Sequence, residues 1–438
     1  MKESYIAAIE FGSSKITGAV GLYTADKTLK ILAVEQEQSR DSVRYGIIQN
    51  PEEVALRVMR IIERLNNRPE IAPRKITGVY VGLSGRSMRS IASNVDIEFP
   101  EETEITGEML QHLCDDAKDI TLDSNQEILS IVPRSYQIDG LETSAPKGAM
   151  GKSISATYDI IIGRNELKRN IMRALQERTD LVIKGMMITQ LAASEIALSD
   201  EEKRLGSMLV DFGAETTAVS IYKKGALCYF ATLPLGGRNI TRDLTSLSIL
   251  EEKAEEIKTE SGHAVAPETP STLNLNGIKL SDVTNLVVAR AEEIVANVIQ
   301  QISYAGLKEK DLPGGIICIG GGAHLRGMMD LLSNLSGLPA RLAVMPAFIQ
   351  PMSPAAKRYD TIETAALLYA GALKDDDDCL ELPATDFDNE VEETPETKLP
   401  EVEEKPAKPG RMGRFLRNVS STFSNMFASN SDEDSELD

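Results

Sequence analysis

The chain has 438 residues and a formal net charge of −20, and it holds four cysteines and three histidines. Much of the negative charge lies after residue 374, where residues 375–409 alone hold 14 acids and three lysines, so no basic face for nucleic acid is evident. The scattered cysteines and histidines suggest neither a disulfide framework nor a zinc site. With no signal peptide and no apolar run near 18 residues, we expect a cytosolic protein without a transmembrane helix.

The first predicted element is a β-hairpin at residues 5–23, YIAAIEFGSSKITGAVGLY. An apolar strand ends in Glu10, and a turn with a glycine, two hydroxyls and a lysine leads into the second strand. A glycine turn lets a ligand approach backbone N–H groups, and a lysine adds a charge for phosphate. These turn residues are Gly12, Ser13, Ser14 and Lys15. One such hairpin is more often only a hairpin.

The chain then predicts half of a ribonuclease-H-like α/β unit, followed by an insertion. A strand at 29–36, a helix from Pro51 to Leu65 and a strand at 75–83 belong to the first part. Residues 84–163 contain three strands and one helix that begins at Thr106, which we interpret as an inserted α+β subdomain.

A second hairpin at residues 208–222, MLVDFGAETTAVSIY, repeats the pattern of the first. Asp211 and Gly213 stand at the turn, and Thr216 and Thr217 open the next strand. Two such hairpins half a chain apart predict duplicated halves that face each other across a cleft.

Three further stretches complete the second half. Glu251–Ser261 is a charged helix that reads on sequence alone as a solvated face. A long helix is predicted at 280–305. A buried strand at 316–319 then enters a triple-glycine turn, where a ligand could lie directly on the backbone. Its glycines are Gly320, Gly321 and Gly322.

In this order and spacing, the three glycine turns resemble the two phosphate motifs and the adenosine motif of the actin, Hsp70 and sugar-kinase superfamily. Within it, the chain is similar to the FtsA family of bacterial actin homologues. The stretches EEKRLGSMLVDFGAETTAVSIYKKGAL, LPLGGRNITRDL, AEEIKTESG and IICIGGGAHLRGM carry this similarity. The insertion at 84–163 lies where this family carries subdomain 1C. The resemblance covers residues 5–374 and a terminal helix.

The resemblance implies a two-lobed actin-like ATPase fold, α/β in class, with this order of parts. Subdomain 1A is expected at 1–83 and 164–204, interrupted by subdomain 1C at 84–163. Subdomain 2A is expected at 205–250 and 305–354, interrupted by subdomain 2B at 251–304, and the chain returns to 1A at 355–374. An acidic disordered linker follows at 375–409, then an amphipathic helix at 410–428 and an acidic end at 429–438.

The resemblance also implies ATP with Mg²⁺ in the cleft. Gly12, Ser13, Ser14 and Lys15 would hold the phosphates from one side, and Gly213, Thr216 and Thr217 from the other. Asp211, with Glu10, would orient Mg²⁺ through its waters. Glu255 and Lys258 would reach the ribose and base, and Gly237 with Gly320, Gly321 and Gly322 would line the nucleotide.

Several positions depart from the family pattern. Glu10 stands where an aspartate is usual, Ala218 replaces an acid, and Ala214-Glu215 replace two glycines. Thr189-Gln190 is ambiguous at the place of the water-positioning glutamine of actins. Nucleotide binding is predicted, and whether the chain is also a weak ATPase stays open.

The acidic linker precedes an amphipathic segment, GRMGRFLRNVSSTFSNMFAS. At 100° per residue its apolar side chains fall within an arc of about 120°, with three arginines outside it, which suits an anionic membrane interface. Docking of this helix on the protein's own body or on a partner is the alternative. The apolar residues are Met412, Phe415, Leu416, Val419, Phe423, Met426 and Phe427, and the arginines are Arg411, Arg414 and Arg417. The family ends in a membrane-targeting helix as well.

The function implied is a cell division protein that anchors FtsZ filaments to the cytoplasmic membrane at the septum and polymerises with itself. Arg290 and Glu293, on the helix at 280–305, match the family's site for the FtsZ C-terminal peptide, although they read equally well as surface charges. The alternatives are an MreB-like or pilus-assembly actin homologue and a superfamily small-molecule kinase. Other divisome proteins are expected as partners, and nucleic acid is not.

Overall fold

The computed structural model describes residues 3–267, 274–275, 277–358, 361–374 and 378–382. These residues form 21 strands and ten α-helices, numbered in chain order. The strands are β1 Ser4–Phe11, β2 Lys15–Tyr23, β3 Leu29–Gln38, β4 Val43–Arg44, β5 Ile47–Ile48, β6 Lys75–Ile76, β7 Gly78–Leu83, β8 Arg89–Glu104, β9 Gln126–Ile138, β10 Leu141–Thr143, β11 Met150–Arg164, β12 Val182–Ile188, β13 Ser207–Phe212, β14 Thr217–Lys223, β15 Ala226–Leu233, β16 Asn274–Leu275, β17 Ile278–Lys279, β18 Ile316–Ile319, β19 Ala340–Leu342, β20 Ile349–Pro351 and β21 Leu380–Glu381. The helices are α1 Pro51–Asn66, α2 Gly107–Asp116, α3 Glu166–Leu175, α4 Thr189–Ala197, α5 Asp200–Leu205, α6 Gly237–Leu244, α7 Glu251–Ser261, α8 Leu280–Tyr304, α9 Met328–Ser336 and α10 Ile362–Ala372.

The first lobe is built on a six-stranded sheet in the order β12-β7-β1-β2-β3-β20. The strands β1, β2 and β3 form an antiparallel meander, and β7 and β12 extend it in parallel. Helix α1 starts at Pro51 because the side chain of Asn50 accepts a hydrogen bond from the amide of Glu53. Its fully buried face, with Val54, Val58 and Ile61, lies in the core of this lobe.

The second lobe repeats the same arrangement. In the order β15-β14-β13-β18-β19, the strands β13, β14 and β15 form the meander, and β18 and β19 extend it in parallel. Each hairpin thus occupies the same place in its own sheet. The prediction of an actin-like fold with duplicated halves is confirmed. The long helix α8 buries Val283, Val287 and Ala291 at helical spacing against this sheet.

The insertion packs α2 on three long antiparallel strands, β8, β11 and β9, around its own core. Its strand β8 also contacts the second lobe. Ala231 pairs with Arg89, and the amide of Thr232 donates to the carbonyl of Met88 at 2.9 Å. The insertion and the second lobe therefore share one nine-stranded sheet.

The chain returns to the base of the first lobe after α10, where Leu380–Glu381 pairs antiparallel with Lys75–Ile76. The sequence analysis assigned these residues to the acidic linker, and that assignment is corrected here. Cys379 and Leu380 are buried, and the amide of Cys379 donates to the carbonyl of Tyr5 at 2.8 Å. The predicted membrane helix and its residues from Arg411 to Phe427 lie outside the described residues. Within the described ranges, no helix is both long and apolar enough to cross a bilayer.

Candidate functional site

The two predicted phosphate turns have the same geometry. In the first, the amide of Gly12 donates to the carbonyl of Lys15 at 3.0 Å, and in the second the amide of Gly213 donates to the carbonyl of Thr216 at 2.9 Å. A Cβ added to either glycine would lie 2.8 Å from that carbonyl oxygen. Glycine is therefore required by the turn itself, and Lys15 and Thr216 occupy equivalent positions.

The triple-glycine turn packs directly on the second hairpin. Gly320 has a φ of +83°, and a Cβ there would lie 2.3 Å from Oδ1 of Asp211. A Cβ on Gly322 would lie 3.0 Å from the Cβ of Phe212. Gly321 has no atom within 4 Å of its Cβ position, so it is the glycine of the three that leaves open space.

Two helices of the second lobe join the same turn. The amide of Gly237, at the start of α6, donates to the carbonyl of Gly213 at 3.0 Å. From α7, Nζ of Lys258 donates to the carbonyl of Gly237 at 3.2 Å and forms an ion pair with Glu255 at 2.7 Å. Burial lowers the pKa of Lys258, against the opposing charge of Glu255. The predicted residues Gly213, Gly237, Glu255 and Lys258 therefore form one connected group.

The residues of the first turn face this group across the cleft. Arg238, on α6, donates from one terminal nitrogen to the carbonyl of Ser13 at 3.2 Å. The hydroxyl of Ser13 accepts from the amide of Gly46 at 2.9 Å, while Ser14 is exposed. The structure thus brings both predicted phosphate turns to opposite walls of the same cleft.

Three carboxylates meet beneath the turns. Burial raises the pKa of Asp211 well above its ordinary value, and the negative charges of Glu363 and Glu10 raise it further. The sequence analysis missed Glu363, which is buried on α10. The available signal was an acid inside the otherwise apolar helix IETAALLYAGA. Over the described residues, no set of three acids, histidines or cysteines has the arrangement of direct metal ligands.

A cavity of about 20 Å³ lies beside Asp211 and is lined by Gln190, Thr216 and Ala218 among others. Nε2 of Gln190 donates to the carbonyl of Leu209 at 3.0 Å and to the hydroxyl of Ser220 at 3.1 Å. Its Oε1 is buried with no hydrogen-bond partner among the described residues. The volume suits one water molecule. The two ambiguous residues Thr189 and Gln190 both line this cavity, and the hydroxyl of Thr189 is likewise buried with no hydrogen-bond partner among the described residues.

One residue predicted for the phosphate site, Thr217, does not offer its side chain to the cleft, and the two residues predicted for a peptide site lie on a separate helix. Thr217 is fully buried, and its hydroxyl donates to the carbonyl of Leu235 at 2.8 Å, so its side chain supports the turn and is not available to a phosphate. Arg290 and Glu293 lie on α8. The guanidinium of Arg290 contacts the carboxylate of Asp243 through Nε at 2.6 Å, and it also pairs with Glu293.

Comparison with known proteins agrees with this architecture. The family model described as "Cell division protein FtsA" matches residues 208–357, and that described as "SHS2 domain inserted in FTSA" matches residues 85–162. The cell division protein FtsA of Porphyromonas gingivalis is 31% identical over 368 residues, which cover 82% of this chain and 74% of that protein. The chain belongs to the FtsA family.

Further relatives support this family assignment. FtsA of Neisseria meningitidis is 28% identical to this chain over 352 residues, covering 78% of the chain and 84% of the relative. Among solved structures, a chain of the PilM–PilN type IV pilus biogenesis complex superposes with a TM-score of 0.60. At 15% identity it covers 84% of this FtsA-family chain and 97% of its own length, and it shows the shared fold alone. The predicted FtsA resemblance is confirmed.

The raised pKa of Asp211 predicts a stability cost in the free protein. A carboxyl whose pKa is higher in the folded than in the unfolded state stabilises the fold below its unfolded pKa, and this contribution is lost as the pH rises through the folded pKa. Because asparagine does not titrate, Asp211→Asn should raise the free energy of unfolding, and the gain should be larger at pH 8 than at pH 5. Urea denaturation of both proteins at the two pH values measures this, and parallel pH dependences would contradict it.

Proposed function

We propose that this chain binds ATP between its two lobes and acts as an actin-like adaptor in cell division. The observation that carries the proposal is the pair of equivalent glycine turns, which lie on opposite walls of one cleft with Arg238 reaching from the second lobe to Ser13. Backbone amides at such turns are suited to phosphate oxygens. Gly12, Ser13, Ser14 and Lys15 would hold the phosphates from one side, and Gly213 with Thr216 from the other.

The nucleoside would lie on the second lobe. Glu255 and Lys258 are assigned to the ribose and base, and the open space at Gly321 admits a flat ring against the backbone. The close packing of Gly320 and Gly322 on the second hairpin supports this indirectly, because it fixes the turn that carries Gly321.

The acidic residues beneath the turns fit a divalent cation held through its waters. Burial and the charges of Glu363 and Glu10 disfavour the ionised form of Asp211, as its raised pKa indicates, and a bound cation would favour that form. Mg²⁺ retains several waters and is held by few carboxylates together with phosphates, and when bound it would neutralise phosphate charge. Gln190, with its unsatisfied oxygen at the one-water cavity, is the residue we assign to a hydrolytic water. We propose ATP binding as the main role and hydrolysis as slow, because Glu10 and Ala218 depart from the family pattern.

The C-terminal segment provides the proposed membrane anchor. The described chain ends at Leu382 on the base of the first lobe, which leaves residues 383–409 as the acidic stretch before Gly410. A flexible coil of that length reaches roughly 25–30 Å. Met412, Phe415, Leu416, Val419, Phe423, Met426 and Phe427 would enter the interface, with Arg411, Arg414 and Arg417 at anionic headgroups. One such helix binds weakly, and a self-assembled filament would bind firmly through many copies.

The proposed partner is the C-terminal peptide of FtsZ, bound on α8. Arg290 supports this because its side chain is 27% exposed and held in place by Asp243 and Glu293. An acidic peptide could compete with those carboxylates for the guanidinium. FtsZ filaments would then be tethered to the inner face of the membrane at the septum.

The membrane anchor predicts that binding depends on the apolar arc of the last helix. Leu416→Glu places a charge inside that arc and should weaken binding to vesicles containing phosphatidylglycerol by about tenfold or more, from the burial of one leucine. Asn418→Glu adds the same charge outside the arc and is the control. Cosedimentation with these vesicles and FtsZ, with and without ATP, measures it.

A chain that ends at Leu382 keeps β21 and lacks only the tail, so it is the negative control for this experiment. Undiminished binding by that shortened chain, or equal binding by the two glutamate variants, would refute the anchor.

The FtsZ site predicts a charge effect confined to α8. Arg290→Gln should weaken binding of the FtsZ C-terminal peptide by about tenfold, since a charged hydrogen bond contributes about 1.5–3 kcal/mol, and ATP affinity should not change. Glu292→Gln, an exposed neighbour on the same helix, is the matched control. Fluorescence anisotropy of labelled peptide measures both, and unchanged affinity in the Arg290 variant removes the assignment.

A further inference from the structure

The second phosphate turn carries a buried carboxylate that the family pattern does not contain. This residue is Glu215, at one of the two positions where the resemblance implies glycine. Its side chain is 1% exposed, and three guanidinium groups surround it. Its Oε1 accepts from Arg44 at 2.9 Å and from Arg238 and Arg242 at 3.1 Å each, and its Oε2 accepts from the amide of Tyr45 at 2.7 Å. Every contact is a charge-assisted hydrogen bond, the stronger class in proteins.

These partners come from both lobes. Arg238 and Arg242 lie on α6, one turn apart and beside Glu215 in the second lobe. Arg44 and Tyr45 belong to the short β4–β5 hairpin of the first lobe. Glu215 therefore forms an ion cluster across the cleft, at the level of the phosphate turns.

The β4–β5 hairpin is shaped for this contact. Its two turn residues have positive φ, 51° for Tyr45 and 73° for Gly46, as in the two-residue turns that match strand twist. Left-handed backbone is uncommon for tyrosine and persists where surrounding contacts hold it. Here the amide of Tyr45 donates to Glu215 and the next amide, of Gly46, donates to the hydroxyl of Ser13. One hairpin tip thus touches both phosphate turns.

The hydrogen bonds and charges around Glu215 favour its ionised form. Burial alone would raise its pKa, but the hydrogen bond from Tyr45 and the charges of Arg238 and Arg44 outweigh burial and lower it. Burial alone would lower the pKa of Arg44, but the charge of Glu215 and its hydrogen bond outweigh burial and raise that pKa. When one partner leaves a buried ion cluster, the remaining charges stay buried without compensation, which is costly in free energy. The contacts around Glu215 are therefore expected to break together and not one at a time.

We propose that Glu215 is a positioning residue that holds the two lobes together and aligns the two phosphate turns before any nucleotide is bound. Arg238 transmits the effect, because the same guanidinium contacts Glu215 and the carbonyl of Ser13. The consequence for nucleotide exchange rests on the proposed ATP site, and the lobe contact does not.

The first test uses the full-length protein without nucleotide. Amide hydrogen exchange of the peptides covering residues 40–48 and 211–218 reports the hairpin tip and the turn directly. Glu215→Ala should speed exchange in residues 40–48 by about tenfold or more, the loss of a charge-assisted bond. Glu215→Gln keeps the shape without the charge and should give a smaller increase, and it replaces the alanine variant if that variant does not fold.

Arg44→Gln tests the same contact from the first lobe and should reproduce the effect. Glu251→Gln is the control, because Glu251 also lies near Arg238, at 3.9 Å, but is exposed and belongs to the second lobe. Unchanged exchange in residues 40–48 for Glu215→Gln and Arg44→Gln would overturn the proposal.

The second test follows release of a fluorescent ATP analogue. Glu215→Gln should accelerate dissociation of the analogue by about tenfold while the association rate changes less. The reason is that the two walls of the site are no longer fixed relative to each other. Equal dissociation rates in this variant and the natural chain would overturn the positioning role. If the natural chain binds no nucleotide, the ATP proposal fails while the exchange experiment still decides the lobe contact.

Discussion

The guanidinium of Arg238 is the contact on which the arrangement of the cleft depends. It bonds the carbonyl of Ser13 in one lobe and the carboxylate of Glu215 in the other, so both glycine turns are fixed to a common group. The duplicated sheets place those turns at equivalent ends of β1 and β13, and the hydrogen bond inside each turn excludes any side chain at Gly12 and Gly213. Sheet topology brings the two walls of the cleft close together, and the side chain of Arg238 fixes their relative position.

Charge is divided within the cleft in a way that suits a nucleotide with a cation. Arginines gather around Glu215 at the level of the turns, and Asp211, Glu10 and Glu363 gather beneath them. Above, three guanidinium groups surround the carboxylate of Glu215, with Asp41 and Glu251 at the edge of the cluster. Below, the charges of Glu363 and Glu10 add to burial in raising the pKa of Asp211. A polyphosphate and its hydrated cation would complement the two groups. The insertion shares a sheet with the second lobe, so a movement of that lobe would also displace β8.

The sequence allowed the fold and much of the site to be predicted because these are carried by local patterns. Acid, phenylalanine and glycine recur in both hairpins, and the strand Ile316–Ile319 and the helix Glu251–Ser261 match the predicted bounds. What was missed depends on contacts between distant residues. The sequence predicts Thr217 as a phosphate ligand, but in the structure its hydroxyl donates to the carbonyl of Leu235. Glu363 and the strand Leu380–Glu381 acquire their roles only from partners more than a hundred residues away, and Glu215 acquires its contact between the lobes from Arg44 and Tyr45, which are equally distant. Neither periodicity nor motif reveals such partners.

The central claim is that equivalent glycine turns on the two walls of the cleft hold the phosphates of ATP. Isothermal titration with ATP and Mg²⁺ tests it directly when the natural chain is compared with Gly213→Ala and with Gly107→Ala, a control glycine whose Cβ position has no atom closer than 4.0 Å. We predict that the natural chain and the control bind ATP alike, while Gly213→Ala loses about tenfold or more in affinity. Absence of binding by the natural chain, or undiminished affinity in Gly213→Ala, would contradict the account.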